Sequence, residues 1–305
     1  MDRHTLAEID PASERCQRWQ HRRHSFVRTS DGGFDPRRYT IEPLDLSTAR
    51  SYVETHHYAG TYVADRFRYG LYHHTRSIST LVGVAVFGVP VSRKVLTNVF
   101  PDLEPYRETV ELSRFVLEGG CGEATGRAPA NSESWFLARC FTELTYAGIR
   151  GVVSFADPVP RHVNGTLLFP GHIGTIYQAS NATYTGRSTP RTLTVLPDGT
   201  TLSARAMQKV RQQEQGHEYV ERRLVALGAR APAAGAGDHA GWLAAALAQS
   251  GAVQLRHRGN HRYVFALGAT VHERGQVRIH GGRLPYPKRP TVTHRRPPPA
   301  VLGRT

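Results

Sequence analysis

The sequence predicts an α/β (α+β) fold, a mixed, mostly antiparallel sheet flanked by helices, with basic disordered tails. Three observations lead there. "FRYGLYHH" (67–74) and "TLVGVAVFGVP" (80–90) are rich in aromatic and β-branched residues around a short polar break, so they read as a β-hairpin. "VELSRFVLE" (110–118), a Gly-rich loop, a helical stretch and "GVVSFADP" (151–158) read as strand, crossover and strand, which calls for a parallel pair. The first residues are rich in Arg and His and the last in Pro and Arg, and neither end has enough apolar surface to order itself.

Residues 1–38, with "DGGFDPRR", read as a basic flexible arm. In "LSTARSYVETHHY" (46–58) Ser47 is the expected N-cap. Ala49, Tyr52 and Val53 follow at helical spacing, so a helix should end near His56. The run at 80–90 is apolar on both faces and should be a central strand. In "NSESWFLARCFTELTYAGI" (131–149) Asn131 or Ser132 can cap a helix, and Glu133 suits its positive end. Phe136, Leu137, Cys140, Phe141 and Leu144 form one stripe, and Gly148 ends it. "RTLTVLPDGTTLSARAM" (191–207) holds a Pro-Asp-Gly turn between β-rich arms, followed by one helix from about Ser203 to Leu227. "GARAPAAGAGDHAG" (228–241) reads as a linker, "GWLAAALAQSG" as a short helix ending at Gly251, and "NHRYVFAL" (260–267) as a strand. The expected organisation is a catalytic domain at 39–227, the linker, a small helix/strand segment at 242–284 and a Pro/Arg-rich tail at 285–305.

Thirty-nine Lys and Arg against 25 Asp and Glu leave a net charge of +14 over 305 residues. Such a balance favours a polyanionic partner, because each neutralised phosphate releases condensed counterions. A nucleic acid is the expected partner, ahead of a charge that serves solubility alone, and a homodimer is compatible with the sequence. The longest apolar run, 81–91, is too short to span a bilayer, and "MDRHTLAEID" lacks the pattern of a secretory signal. Cys16, Cys121 and Cys140 are odd in number and form no CxxC pair, which argues against a disulfide framework or zinc ribbon. A cytoplasmic location is the expectation.

Several constellations could carry chemistry. The Gly-rich loop running into the helix at Asn131 could cradle a phosphorylated donor such as coenzyme A on backbone N–H groups, with Ser132 and Ser134 adding hydroxyls. It reads equally well as an ordinary connection to a capped helix. Asp157 ends the parallel strand "VVSFAD", where open α/β sheets place their ligand crevice, although Asp-Pro is also a common turn starter. His57 and Tyr58 pair a base near neutral pH with an aromatic face. Arg114 stands in an otherwise apolar strand and needs an anionic partner, for which Asp157 is the candidate. In "GHIGTIYQASNATYTG" (171–186) Tyr177 is either a site phenol or a core tyrosine, while Gln178 and Asn181 match the donor and acceptor edge of adenine. Tyr184 could stack on a base, and Arg187, Lys209, Arg211, Arg222 and Arg223 could hold phosphates.

In chain order, "HHY", "LVGVAVFG", "ELSRFVL", "NSESWFLARC", "VVSFADP" and "GHIGTIYQASNATYTG" resemble the Mom DNA-modification proteins of phage Mu and its relatives. The match covers roughly residues 50–220, with a weaker echo in "NHRYVFAL…LPYPK". The resemblance implies a fold like the Gcn5-related N-acetyltransferases. It also implies double-stranded DNA as the partner and an activity that places a carbamoylmethyl (acetamido) group on adenine N6 in it, hiding phage DNA from host restriction inside the infected cell. It implies His57, Tyr58, Arg114, Ser134, Asp157 and Tyr177 as functional positions. Acetyl-CoA or a related activated donor, and iron, belong to the same set of implications. Two other functions compete: an N-acyltransferase of a small amine or peptide using acetyl-CoA, and a non-catalytic DNA-binding protein.

Overall fold

The computed structural model describes residues 15–28, 30, 33–118, 128–163, 166–233, 235 and 237–288. It opens with strands β1 (Arg15–Gln20) and β2 (Arg23–Arg28), then β3 (Tyr39–Pro43), helix α1 (Leu46–His56), β4 (Asp65–His74) and β5 (Ser79–Gly88). A one-turn α2 (Lys94–Thr97) precedes β6 (Thr109–Leu117), α3 (Ser132–Tyr146) and β7 (Gly151–Ala156). Next come β8 (Arg161–Val163), β9 (Thr166–Phe169), α4 (Thr175–Ala179), β10 (Thr183–Arg187), β11 (Arg191–Val195) and β12 (Thr201–Leu202). The chain closes with α5 (Ala204–Gln212), α6 (Glu218–Ala226), α7 (His239–Gln249), β13 (Val253–His257), β14 (His261–Ala266) and α8 (Val271–Gly275).

Seven strands form the main sheet in the order β10-β14-β7-β6-β5-β4-β3. Among the named strands β6 and β7 are the one parallel pair, and every other pairing is antiparallel. The sheet is therefore mixed and mostly antiparallel, with helices against it, as the sequence predicts. Strand β5 lies inside it, and Val82, Val84, Ala85, Val86 and Phe87 are fully buried, which is why both of its faces are apolar. The α3 stripe Phe136, Leu137, Cys140 and Leu144 packs on Val110, Leu112 and Val152 of the parallel pair. Each such large side chain contributes about 1.5–3 kcal/mol when buried. Phe141 is only partly buried, and Gly148 takes the left-handed conformation that ends the helix.

Four expectations need correction. The cap of α1 is Asp45, which accepts from Thr48 N at 2.9 Å, while Ser47 merely donates to Asp45. The expected arm is, over its described part Arg15–Arg28, a hairpin whose two-residue turn places His21 and Arg22 at positive φ. It is held because Arg18 is fully buried. Arg18 donates to the carbonyls of Ala128 (2.9 Å) and Pro129 (2.6 Å) and pairs with Glu133 at the start of α3. Breaking such a buried pair leaves an uncompensated charge. The helix expected from Ser203 to Leu227 is two helices, because Gln213 and Gly216 adopt positive φ between them.

The fourth correction concerns the order of the parts. β10 and β14 are neighbours in the main sheet, so everything between them is an insertion. It is a three-stranded sheet, β12-β11-β13, with α5, α6 and α7, sharing one core of Leu196, Val210, Val220, Leu224 and Leu243. The expected linker folds onto this unit: Ala229 is buried, Arg230 N donates to Gln249 Oε1, and Trp242 Nε1 donates to Arg230 O. The start of the Pro/Arg-rich tail also docks. Leu284 N donates to Tyr184 O, and Tyr286 donates its hydroxyl to Ala182 O at 2.7 Å. Residues 289–305 lie outside the described residues.

Candidate active site

The parallel pairing of β6 with β7 runs from Thr109↔Gly151 to Leu112↔Ser154 and stops there. On β5, Val86 pairs with Arg114 and Phe87 with Leu112, so Ser113 is an extra residue bulged out of β6. A bulge bends its strand and re-aims side chains, and bulges recur beside active sites. Beyond it a cavity of about 180 Å³ opens between Ser113, Phe115 and Leu117 of β6 and Phe155 of β7. Cys16, Gln17 and Trp19 of β1, His57 and Tyr58 after α1, and Asn131, Glu133 and Ser134 at the α3 start also line it. His172 and the α4 residues Thr175, Ile176, Tyr177 and Ala179 complete the wall. A cavity of about 150 Å³ can hold a benzene, so this one admits a planar ring.

The α4 wall is fixed by backbone geometry. Gly174 caps α4 at φ +78°, and a Cβ there would lie 2.5 Å from the Tyr263 ring. Tyr177 is buried against Tyr263 and Phe265, with ring centroids 5.3 and 6.2 Å away. Burial raises its phenol well above the ordinary value, against a hydrogen bond with Ser154 that lowers it. Tyr177 is thus both a core tyrosine and a cavity residue, a hydroxyl donor at neutral pH. Tyr58 stacks on Phe169 at 4.3 Å and tilts against Trp19 at 5.0 Å; burial, with Asp157 adding to it, pushes its phenol up to about 12.

His57 is buried, and that burial lowers its pKa well below the ordinary value, with the Arg114 and His172 charges adding to the effect. Its Nδ1 accepts from Ala59 N at 3.1 Å, which assigns the proton of the neutral ring to Nε2. At neutral pH His57 is therefore uncharged, with its Nε2–H as a hydrogen-bond donor.

Asp157 follows β7 but does not line the cavity. Its Oδ1 accepts from His257 Nε2 at 2.8 Å and Val159 N at 3.0 Å, and its Oδ2 pairs with Arg161. Burial pushes this carboxyl up, but the His257 bond, the Arg161 charge and the Val159 amide together hold it below the usual range. The expected Arg114–Asp157 pair does not form. Arg114 donates to Ser113 O (2.7 Å) and Thr61 O (3.0 Å), and it too is absent from the cavity wall. Among the cofactor candidates, Asn131 and Ser134 line the cavity, whereas Ser132 is fully buried and turns its hydroxyl to Pro129 O.

The base-reading assignments fare differently. Gln178 holds the loop together through Ile173 O, the Tyr263 hydroxyl and Pro287 O. Tyr184 is core and bonds His261 Nδ1 at 2.8 Å. Asn181, at φ +59°, lines a separate groove with Tyr146 and Arg274. Arg187, Arg211 and Arg222 are exposed and Lys209 half-buried, while Arg223 is bound to Asp198 at 3.1 Å.

Glu111 was missed by sequence reading because "VELSRF" reads as an ordinary strand with a polar edge. Its carboxylate makes no hydrogen bond among the described residues. Burial pushes it up to about 7 against the opposing Arg114 charge. Glu111 is half-buried and does not line the cavity, but a carboxylate poised near neutrality beside Arg114 is a functional-site candidate.

The described residues do not fit the implied cofactors. Among the described residues no group of three or more His, Cys, Asp or Glu is placed to hold a metal ion, so iron has no ligand set there. For coenzyme A, the first turn of α3 presents the Glu133 carboxylate to the cavity, and the nearby Arg18 is consumed by it. Most of the Gly-rich segment, with Cys121, lies outside the described residues.

The model of the Mom protein family matches residues 38–288. The chain belongs to the Mom protein family. The resemblance drawn from the quoted motifs is borne out, and the match extends beyond them through the insertion, β14 and the docked tail. Membership in the Mom family supports phage DNA modification and a transferase in general. No curated protein matches the chain. Among solved structures it is similar to "Crystal structure of a putative phosphinothricin N-acetyltransferase", at 12% identity over 50% of this chain and 86% of that one, with a TM-score of 0.28. At that score the likeness decides neither fold nor reaction. No helix among the described residues is long and apolar enough to cross a membrane.

Proposed function

We propose that this Mom-family protein adds a carbamoylmethyl group to adenine N6 in DNA, in the cytoplasm of the infected host, protecting phage DNA from restriction. One observation carries the reading. His57, Tyr58, Ser134 and Tyr177 come from separate segments and meet in one cavity at the place where the parallel pair splits.

The chemistry sets the requirements. The N6 lone pair is delocalised into the purine ring, so N6 must lose a proton as its bond to the donor carbon forms and the leaving group departs with its electron pair. Glu111 does not line the cavity, so it is assigned as the final acceptor of that proton: it has free acceptor capacity and a carboxyl near neutrality, whereas Asp157, also off the wall, is committed on both oxygens. Tyr177 and His57 donate hydrogen bonds that orient the purine or the donor carboxamide. Ser134, which lines the cavity, adds a hydroxyl that can donate to negative charge as it develops. N6 is paired inside duplex DNA, so the adenine must flip into the cavity, where Tyr58 and Trp19 supply aromatic walls.

The test is mass spectrometry of nucleosides from cells that express the full chain. A new adenine derivative heavier by one carbamoylmethyl group is expected. Unmodified adenine alongside abundant folded protein would overturn the reading.

A further inference from the structure

The insertion leaves the main sheet through a narrow crossing. β10 runs into β11, β13 returns into β14, and between them Ser188 N donates to Asn260 O (2.8 Å) while Asn260 N donates to Ser188 Oγ (2.9 Å). Gly259 sits there at φ +95°, so close that a Cβ would lie 1.9 Å from Ser188 O. Two residues before it, His257 is fully buried and donates to Asp157, which fixes the crossing to the carboxyl end of β7, whose Phe155 lines the cavity.

Arg187, Arg191, Arg256 and Arg258 all fall within three residues of Ser188 or Gly259, and all four are exposed. Residues 183–195 and 253–266 contain no Asp or Glu. Arg187 lies 3.5 Å from His261 Nε2. Arg191, Arg256 and Arg258 have no ion pair or side-chain hydrogen bond among the described residues. The expected phosphate-binding helix differs: Arg205 is paired with Glu214 and Arg223 with Asp198, and Glu218 and Glu221 stand among the rest. Arg191 pairs with His257 and Arg256 with Thr192, so these two project from opposite faces of the ribbon. Exposed arginines around one narrow crossing, with no carboxylate in either strand segment, make a basic ribbon for fixed anions.

We propose that this arginine crossing is the surface that grips the phosphodiester backbone of duplex DNA and presents it to the cavity. The choice of DNA as the polyanion rests on the function proposed above; the geometry of the surface does not.

The experiment is fluorescence anisotropy of the full chain with a short labelled duplex over a range of salt concentrations. Each phosphate contact contributes about 0.9 to the slope of log affinity against log salt. Replacing Arg191, Arg256 and Arg258 together with Gln should lower that slope by about 2–3. Lysine at the same three positions should retain most of it, which separates charge from folding. Gln at Lys209, Arg211 and Arg222 should lower it by less than about 1. An unchanged slope in the triple Arg→Gln protein, or a larger loss from the helix variant, would overturn the proposal. So would wild-type protein with no salt-dependent duplex binding. If the slope behaves as expected but adenine stays unmodified, the chemical reading fails and the surface stands.

Discussion

Residues 39–188 and residues 189–305 differ in charge as sharply as in architecture. The first stretch carries 13 Lys and Arg against 13 Asp and Glu; the second carries 18 against 6. The neutral stretch holds most of the main sheet and most of the cavity wall, and some of its charges are paired internally, as in Arg68–Asp65 and Arg161–Asp157. The basic stretch holds the insertion, the returning strand β14 and the docked tail. The difference teaches that the net charge of +14 says little about the chemistry. Burial and local hydrogen bonds tune the site groups, while the excess charge lies on parts that could hold a polyanion.

Breaking the comparison on the neutral side should have the largest effect. His57→Ala is expected to lower adenine modification about 100-fold, the scale of one lost hydrogen-bond donor in a preorganised site, with duplex affinity within twofold. Equal losses of affinity and rate would mean that the two stretches are not separate in function. His257→Ala acts at their junction. It leaves the Asp157 carboxylate one partner short and should cost about 1–3 kcal/mol in a denaturant titration. A stability unchanged from wild type would mean that the junction is not held this way.

Glu111 gives a smaller, pH-dependent effect. Its folded carboxyl is held above the ordinary 4.5, at about 7, so between those values the folded chain binds a proton that the unfolded chain has released. That stabilisation is complete below the unfolded value and is lost as pH rises through about 7. Glu111→Gln should therefore flatten the decline in Tm between about pH 5 and about pH 8. A decline as steep as wild type would show that Glu111 titrates normally. Arg211→Ala, on the exposed face of α5, should change the salt slope of duplex binding least, by less than about 1.

The fold was largely legible because its strongest signals are periodic: the α3 stripe, the doubly apolar β5, and the two strands around the crossover. What stayed hidden depends on contacts distant in sequence. A basic N-terminal stretch looks unstructured until Arg18 is seen to be paired with Glu133, 115 residues on. The insertion was invisible because nothing in "NHRYVFAL" says that it lies between β10 and β7. At the site, His57, Tyr58, Ser134 and Tyr177 reached one cavity, but Asp157 and Arg114 did not pair. His257 and Arg161, which take Asp157, lie 100 and 4 residues away. Position at a strand end gives the neighbourhood of a carboxylate; only tertiary partners decide what it is free to do.

The central claim is that the split between β6 and β7 is where adenine is modified, and Tyr177→Phe tests it most directly. The substitution removes one hydroxyl from the cavity wall and leaves the ring packed on Tyr263 and Phe265. Nucleoside mass spectrometry of DNA treated with equal amounts of folded wild-type and variant protein should show the adenine derivative with the first and none above background with the second. Equal yields from both would place the chemistry outside this cavity.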